Sequence, residues 1–113
     1  WSQKGVYYVA DCWVNGSELD VWFDANANWI MTEMEIFREQ LPAAVNTAYE
    51  ESGYGDWVID NLTKLTFPHK SEEFVFEVQR GAQERALYYS AYGGLLLEKD
   101  ITDADDTHWP DVE

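Results

Sequence analysis

The feature that most constrains the fold of this chain is a strand-and-turn pattern that occurs twice, 66 residues apart. Residues 1–33 align with residues 67–99 without a gap, and at several positions the physical class of the residue agrees where the identity does not. Examples of such pairs are Tyr8/Phe74, Val21/Leu87, Trp22/Tyr88 and Met31/Leu97. A fixed period of this kind is typical of a duplicated structural unit.

We therefore predict two related repeats followed by a tail. The first repeat, residues 1–36, is a partial one: a three-stranded meander without its own helix. The second, residues 37–102, contains a helix and four antiparallel strands. Residues 103–113 form an acidic tail that lies on the surface or frays. With 113 residues, 46% of them hydrophobic, the chain is long enough for one compact layered domain.

The first hairpin is marked by the dipeptide Asn15-Gly16, which favours a type I′ turn because both residues tolerate positive φ. Residues 7–14 alternate with the period of two that strands have. A two-residue turn fixes the register and pairs Asp11 with Asp20. The register also unites one apolar set on a single face, which we predict to be the core face: Tyr8, Ala10, Cys12, Val14, Leu19, Val21 and Phe23.

The second hairpin follows the same rule. A turn at Gly81-Ala82 pairs Phe76 with Leu87 and Phe74 with Tyr89, so the apolar side chains again share one face. The two hairpins are thus two independent indications of a duplication.

A polar cluster at residues 24–28 predicts a turn into a third strand that begins at Trp29. If Ile36 has the same position in the first repeat as Ile101 has in the second, the first repeat needs one extra residue. We predict a β-bulge near residues 32–33 to hold it.

A helix is predicted from Pro42 to Ser52, with Gly53 as its stop signal. Its apolar residues have the spacing of an amphipathic helix: Leu41, Ala44, Val45, Ala48 and Tyr49. Residues 57–67 are rich in β-formers and predict a long strand. The predicted fold class is α+β, a twisted antiparallel sheet of about seven strands packed on one α-helix.

Charge and composition exclude several kinds of partner. The chain has 22 acidic and 7 basic residues, a formal net charge of -15, so it would repel nucleic acid and anionic membrane surfaces. No run of 18 apolar residues is present, so no transmembrane segment is predicted. Cys12 is the single cysteine and leaves the redox compartment undetermined.

Three stretches resemble the PepSY-like domains of envelope proteins, which are also described as beta-lactamase-inhibitor-like: Val21–Trp29, Leu41–Val45 and Tyr88–Gly94. The resemblance covers roughly residues 7–101. It implies a secreted or periplasmic protein with tandem repeats, its signal peptide removed, and without known enzymatic activity. By analogy with the inhibitor fold, it also implies that a protein partner docks on the sheet.

The face opposite the predicted core carries aromatic and acidic side chains. Antiparallel sheets commonly leave one face in water, and rigid aromatic rings beside carboxylates suit a binding surface. We predict a partner-binding site composed of Trp22, Trp13, Tyr7, Tyr88, Asp11 and Asp20. Self-association through this face and ordinary burial under another element are the alternatives. The opposed Asp11 and Asp20 are either screened by solvent or form a subsite for a basic side chain or a cation.

No metal, cofactor or catalytic site is predicted. Asp24, Asn26, Asn28 and Glu35 have the spacing of a calcium loop, but Trp29 replaces the required glycine and a strand follows instead of a helix. A solvated hairpin turn is the favoured interpretation of this segment. The two histidines, His69 and His108, have no partner at a ligand spacing, and no nucleophile elbow or phosphate loop is present.

The predicted function is therefore that of a non-enzymatic binding module, secreted or periplasmic. It would recognise a protein or peptide, in an inhibitor-like or regulatory role, through the aromatic and acidic sheet face. The alternative is a structural or self-assembling envelope protein, a homo-oligomer whose chains pair through exposed sheet edges.

Overall fold

A single antiparallel sheet of eight strands forms the body of the protein, in a computed structural model that describes residues 2–4 and 6–102. Each strand pairs with its neighbours in sequence, in the order β1 to β8. The strands are β1 (Ser2–Lys4), β2 (Tyr7–Val14), β3 (Ser17–Phe23), β4 (Trp29–Glu35), β5 (Val58–Thr66), β6 (Glu73–Arg80), β7 (Gln83–Ser90) and β8 (Leu95–Asp100). A 3-10 turn (Arg38–Gln40) and the helix α1 (Ala43–Glu50) connect β4 to β5.

This architecture confirms the α+β fold class, an antiparallel sheet with one helix in the described part of the chain. The sheet has one strand more than the seven expected, because the short β1 pairs with the beginning of β2. The helix is shorter than predicted. Pro42 keeps an extended backbone and stands before its first turn, while Gly53, at φ 90°, lies just beyond its end.

The predicted hairpin registers are confirmed. Asp11 lies opposite Asp20 in the β2–β3 hairpin, and Phe76 lies opposite Leu87 in the β6–β7 hairpin. Asn15 adopts φ 53°, as a type I′ turn requires. Turn chemistry at two dipeptides is therefore enough to set which side chains share a face across four strands.

The turns at the far ends of β3 and β7 have the same geometry at the same offset. In one, the Asp24 N–H donates to the Asn28 carbonyl at 2.9 Å; in the other, the Ser90 N–H donates to the Gly94 carbonyl at 2.9 Å. Ala27 and Gly93 occupy the same turn position, with φ 65° and 87°.

A β-bulge follows each of these two turns, and the prediction of a bulge near residues 32–33 is wrong in position. The register shifts between Trp22 and Phe23, which leaves Ile30 without an opposite residue at the start of β4. The equivalent shift between Tyr88 and Tyr89 changes the register of β8 against β7 by one residue. The extra residue lies beside the turn because the chain leaves the turn one residue out of register with the hydrogen bonds between the two strands.

Helix α1 packs on one face of the sheet and closes the first of two buried clusters. Val45 and Tyr49 are fully buried, and the Tyr49 ring stacks on Phe76 with ring centroids 4.3 Å apart. The Tyr49 hydroxyl donates to the Tyr54 carbonyl at 2.7 Å, which satisfies its polar end. The buried members of this cluster are Ile36, Val45, Tyr49, Leu62, Phe74, Phe76, Val78, Leu87 and Tyr89.

The opposite face holds a second buried cluster, to which six consecutive strands contribute. Its buried members are Val9, Trp22, Met31, Leu65, Val75, Ala86 and Tyr88, with Tyr7, Ile30, Phe67 and Ile101 packed against them. Along β6 and β7 the residues of the two clusters alternate, so these central strands are buried on both faces. Burial on both faces removes the periodicity by which a core face is usually recognised.

The predicted core face of the first hairpin is wrong. Val9 and Trp22 are buried on the face away from α1, whereas Tyr8 and Val14, on the α1 side, are 40% and 50% exposed. The physical reason is the size of the helix. Eight residues span about 12 Å, the width of two to three strands. Helix α1 lies over the β5–β7 side of the sheet and does not cover β2 and β3.

The two tryptophans at 13 and 22 provide a test of this assignment. Trp22→Ala should lower the free energy of unfolding by about 3–5 kcal/mol, because a buried indole is removed from a packed cluster. Trp13, on the same face of the same hairpin, is 69% exposed, and Trp13→Ala should cost at most about 0.5 kcal/mol. Urea denaturation followed by circular dichroism measures both. Equal losses for the two variants would contradict the assignment.

Candidate functional site

The six residues of the predicted site all lie on the face away from α1, but they do not form one exposed surface. Trp22 and Tyr88 are buried in the second cluster, so the expectation that they contact a partner directly is wrong. Tyr7 is half-buried and meets Trp22 edge to face, with centroids 6.0 Å apart. The structure leaves Trp13, Asp11 and Asp20 at the solvent-facing end of this face.

Acidic side chains from three adjacent strands meet at this end. Asp11 on β2 lies opposite Asp20 on β3, which in turn lies opposite Glu33 on β4. The carboxylate oxygens of Asp11, Glu18 and Asp20 lie within 4.8 Å of one another. A small cleft of about 120 Å³ opens beside them, and we call it the acidic cleft: it is lined by Glu18, Asp20, Glu33, Glu35, Asn61 and Thr63.

The neighbouring carboxylates affect the protonation of Asp20. Burial, together with the Asp11 and Glu33 carboxyl groups at hydrogen-bonding distance and their negative charge, raises the pKa of Asp20 to about 8. Its Oδ1 is shielded from solvent and has no hydrogen-bond donor among residues 2–4 and 6–102. Carboxylates accept hydrogen bonds and donate one only when protonated. At neutral pH the Asp20 carboxyl group therefore keeps its proton.

Four basic side chains of the described residues form ion pairs elsewhere in the fold. The ion pairs between these residues use Glu50, Asp56, Glu73 and Asp100. Asp11, Glu18, Asp20 and Glu35 take part in none of these pairs. The indole N–H of Trp22 does reach Glu33, donating to its Oε1 at 3.1 Å. The acidic cleft thus presents negative charge on an open sheet face, and carboxylate oxygens at such spacing suit ammonium or guanidinium groups.

The segment with calcium-loop spacing is a closed turn, as the hairpin interpretation expects. Asp24 Oδ1 accepts hydrogen bonds from the backbone N–H groups of Asn26 and Asn28, each at 2.9 Å. The bond from Asn28 is the main cause that lowers the pKa of Asp24. Glu35, the last residue of the pattern, lines the acidic cleft instead. The Asp24 carboxylate is occupied within its own turn.

A second cleft, of about 710 Å³, lies at the other end of the same sheet and was not predicted. Its walls include Trp29, Phe67, His69 and Lys70. Lys70 stacks on the Phe67 ring and forms an ion pair with Glu73 at 3.5 Å, so its charge is partly neutralised. The other histidine, His108, lies outside the described residues.

Sequence reasoning missed five residues of the acidic cleft: Glu18, which the hairpin register already places opposite Trp13, and Glu33, Glu35, Asn61 and Thr63. Glu33 and Glu35 have the strand period of two, and extending the β3 register to β4 would have placed Glu33 opposite Asp20. The other two come from β5, whose pairing with β4 spans the whole helical connection. No turn dipeptide fixes that register.

The raised pKa of Asp20 predicts how stability depends on pH. Since the pKa is higher in the folded than in the unfolded chain, this group stabilises the fold below pH 4, and the contribution is lost as pH rises towards 8. Asp20→Asn should therefore match the parent protein near pH 4 and exceed it at pH 9. After allowance for solvent screening, the gain is about 1–3 kcal/mol. Urea denaturation at a series of pH values measures it.

The matched control is Asp60→Asn, which removes one carboxylate from an exposed position on β5. It should follow the pH profile of the parent protein. If Asp20→Asn followed that profile too, the raised pKa of Asp20 would be contradicted.

Comparison with known proteins places the chain in a family. Residues 6–97 match the family model described as "Putative beta-lactamase-inhibitor-like, PepSY-like". Among curated proteins none matches. In the part of the chain that the structure describes, no helix is long and apolar enough to cross a membrane.

Several solved structures from Bacteroides species are similar to this chain. A BLIP-like protein from Bacteroides fragilis is 56% identical with a TM-score of 0.89, and the match covers 97% of this chain and 79% of that one. A DUF2874 family protein from Bacteroides ovatus is 31% identical with a TM-score of 0.90, covering 94% and 77%. A protein from Bacteroides eggerthii, described as a putative periplasmic protein, is 31% identical with a TM-score of 0.90, covering 94% and 78%. The chain therefore belongs to the PepSY-like, beta-lactamase-inhibitor-like family.

Proposed function

We propose that the protein is a non-enzymatic periplasmic module that binds a basic segment of a protein or peptide partner in the acidic cleft, with Trp13 as an apolar contact beside it. The observation that carries the proposal is the raised pKa of Asp20 within its group of carboxylates. The group lowers the stability of the fold at neutral pH, and a partner that supplies positive charge would remove that cost.

The position of Trp13 supports the proposal that this surface binds the partner. It lies opposite Glu18 in the β2–β3 hairpin, on the face that holds the acidic cleft, and is mostly exposed. An exposed indole next to carboxylates matches the composition of binding hot spots, which combine a large rigid ring with charged neighbours.

Family membership supports the protein-binding and periplasmic parts of the proposal. The family description is inhibitor-like, and one similar structure carries a periplasmic description. Both are analogies at the level of the fold and name no target. That the protein has no enzymatic activity is likewise proposed by analogy with the family.

We further infer that the chain arose by duplication, with repeats at residues 1–36 and 37–102. The support is the recurrence at an offset of 66 of strands β2 and β6, of the turn bonds at Asp24 and Ser90, and of the adjacent bulges. Only the second repeat has a helix among the described residues.

A peptide titration tests the binding proposal. The probe is a peptide of alternating arginine and glycine, and its affinity is measured by calorimetry in low and physiological salt. Glu18→Gln combined with Glu35→Gln should weaken binding about tenfold, because each exposed ion pair contributes up to about 1 kcal/mol. Trp13→Ala should weaken it by a smaller factor.

The control removes the same number of charges elsewhere. Glu39→Gln combined with Glu51→Gln changes two exposed carboxylates near α1 and leaves the acidic cleft intact. Equal weakening by both double variants would show that only the net charge of -15 attracts the peptide, and the proposed site would be refuted.

Self-assembly is the second candidate, and the outer edge of β8 favours it. Leu95, Leu96 and Leu97 are all exposed, and no described strand pairs with that edge. An exposed edge strand with apolar side chains is a template for pairing with another chain.

Light scattering over a range of concentrations tests assembly through β8. If copies pair through this edge, the molar mass rises with concentration and Leu96→Lys abolishes the rise, because a charge on an edge strand blocks pairing. A parent protein that stays monomeric throughout would count against this candidate.

A further inference from the structure

The second cleft, which we call the Trp29 cleft, forms where strands β4 and β5 separate. Their pairing begins with Thr32 opposite Thr66, although β4 itself begins three residues earlier, at Trp29. Pro68 follows β5 closely, and a residue without an N–H cannot continue the backbone hydrogen bonds. The two segments diverge and leave a cleft of about 710 Å³. This volume lies within the range of small-ligand sites, about 300–1,000 Å³.

Side chains of the Trp29 cleft are held in place by the protein itself. The Trp29 indole N–H donates to Thr32 Oγ1 at 2.9 Å, which orients the ring. Ile30 and Phe67 pack against the second buried cluster, so the apolar part of the wall is anchored in the core. Two backbone N–H groups of the adjoining turn orient the Asp24 carboxylate. Groups that are already in position lose little entropy when a ligand binds.

The charges of the cleft are compensated within the protein. Lys70 forms an ion pair with Glu73 at 3.5 Å, and Asp24 Oδ2 accepts a hydrogen bond from Asn28 Nδ2 at 3.2 Å. A charged ligand would compete with these partners. Anions are also repelled by the net charge of -15, and cations are drawn to the acidic cleft instead. The Trp29 cleft therefore favours a neutral ligand.

The polar groups of the cleft include both donors and acceptors. A carboxylate oxygen accepts up to two hydrogen bonds, so Asp24 Oδ2 has capacity for one more. The Lys70 ammonium has three N–H donors, and the exposed His69 imidazole both donates and accepts. A wholly apolar ligand would remove water from these groups without replacing its hydrogen bonds, which weakens binding. The ligand must therefore combine an apolar face with hydroxyl or amide groups at its edge.

We propose that the Trp29 cleft binds a neutral carbohydrate. A hexose ring has an apolar face of C–H groups, which can stack on the electron-rich face of the Trp29 indole. Each of its hydroxyl groups both donates and accepts, so that the sugar can donate to Asp24 and accept from Lys70. The site is separate from the acidic cleft, at the other end of the sheet, and does not depend on the peptide binding proposed there.

A glycan array tests this proposal with the full chain. The probes are neutral oligosaccharides of hexoses and N-acetylhexosamines, with sulphated and sialylated glycans on the same array. The protein should bind at least one neutral glycan. Calorimetry with that glycan should give the same affinity in low and physiological salt, because no ion pair forms, whereas the affinity of an arginine-containing peptide falls with salt.

Variants of the cleft locate the binding site. Trp29→Ala should weaken binding of the selected glycan about tenfold, and Trp29→Phe by a smaller factor, because an aromatic face remains. Asp24→Asn keeps an oxygen for the backbone N–H groups of the turn but removes the charge, so it should weaken binding a few fold. The matched control is Trp13→Ala, which removes an exposed indole beside the acidic cleft and should leave the glycan affinity unchanged. Circular dichroism verifies that each variant is folded.

Titration with the monosaccharide and with longer forms of the same glycan distinguishes two sources of the sugar. An affinity that rises with the number of sugar units supports a glycan chain as the ligand. Equal affinities support a free sugar, and both results support a carbohydrate site.

Three results would overturn the proposal. The first is an array on which no neutral glycan is bound more strongly than by the Trp29→Ala variant, or on which only anionic glycans are bound. The second is equal weakening by Trp29→Ala and Trp13→Ala. The third is a tighter glycan affinity after Trp109→Ala, which would identify the acidic tail, residues 103–113, as the occupant of the cleft. Each of these results leaves the peptide proposal for the acidic cleft standing.

Discussion

The stacking of Tyr49 on Phe76 is the contact on which the arrangement of the buried clusters depends. It fixes the single described helix over the second half of the sheet, with Val45 buried beside it. Because an eight-residue helix covers only two or three strands, the same contact leaves β2 and β3 without a layer of described residues above them. The burial of Val9 and Trp22 on the far face, and the exposure of Tyr8 on the near one, are consequences of where this helix lies.

Local chemistry in the sequence was sufficient to predict the register of both hairpins, because Asn15-Gly16 and Gly81-Ala82 admit only short turns. It was insufficient to predict which face is buried, since that depends on a helix more than 20 residues away in the chain. Trp22 and Tyr88 illustrate the failure. Their alternation with the predicted core was correct, but both faces of the sheet have a buried cluster, and alternation cannot distinguish a second cluster from solvent.

The face away from α1 is divided between an apolar end and an acidic end, and Trp22 joins the two. Its ring is part of the buried cluster, while its N–H donates to Glu33 at the border of the acidic cleft. The proposed binding surface therefore rests directly on packed core side chains rather than on loops. Side chains on rigid strands keep their spacing when a ligand arrives, so little conformational entropy is lost on binding.

The strictly sequential order of the strands has a consequence for how the chain reaches its fold. Every pairing from β1 to β8 joins neighbours in the sequence, and only the β4–β5 pair encloses a long connection. Closure of short loops costs little entropy, and folding rates rise as contacts become more local. Hairpins β2–β3 and β6–β7 can form separately. The β4–β5 pairing, whose connection contains α1, is the junction between the two hairpin-bearing halves and has the longest loop to close.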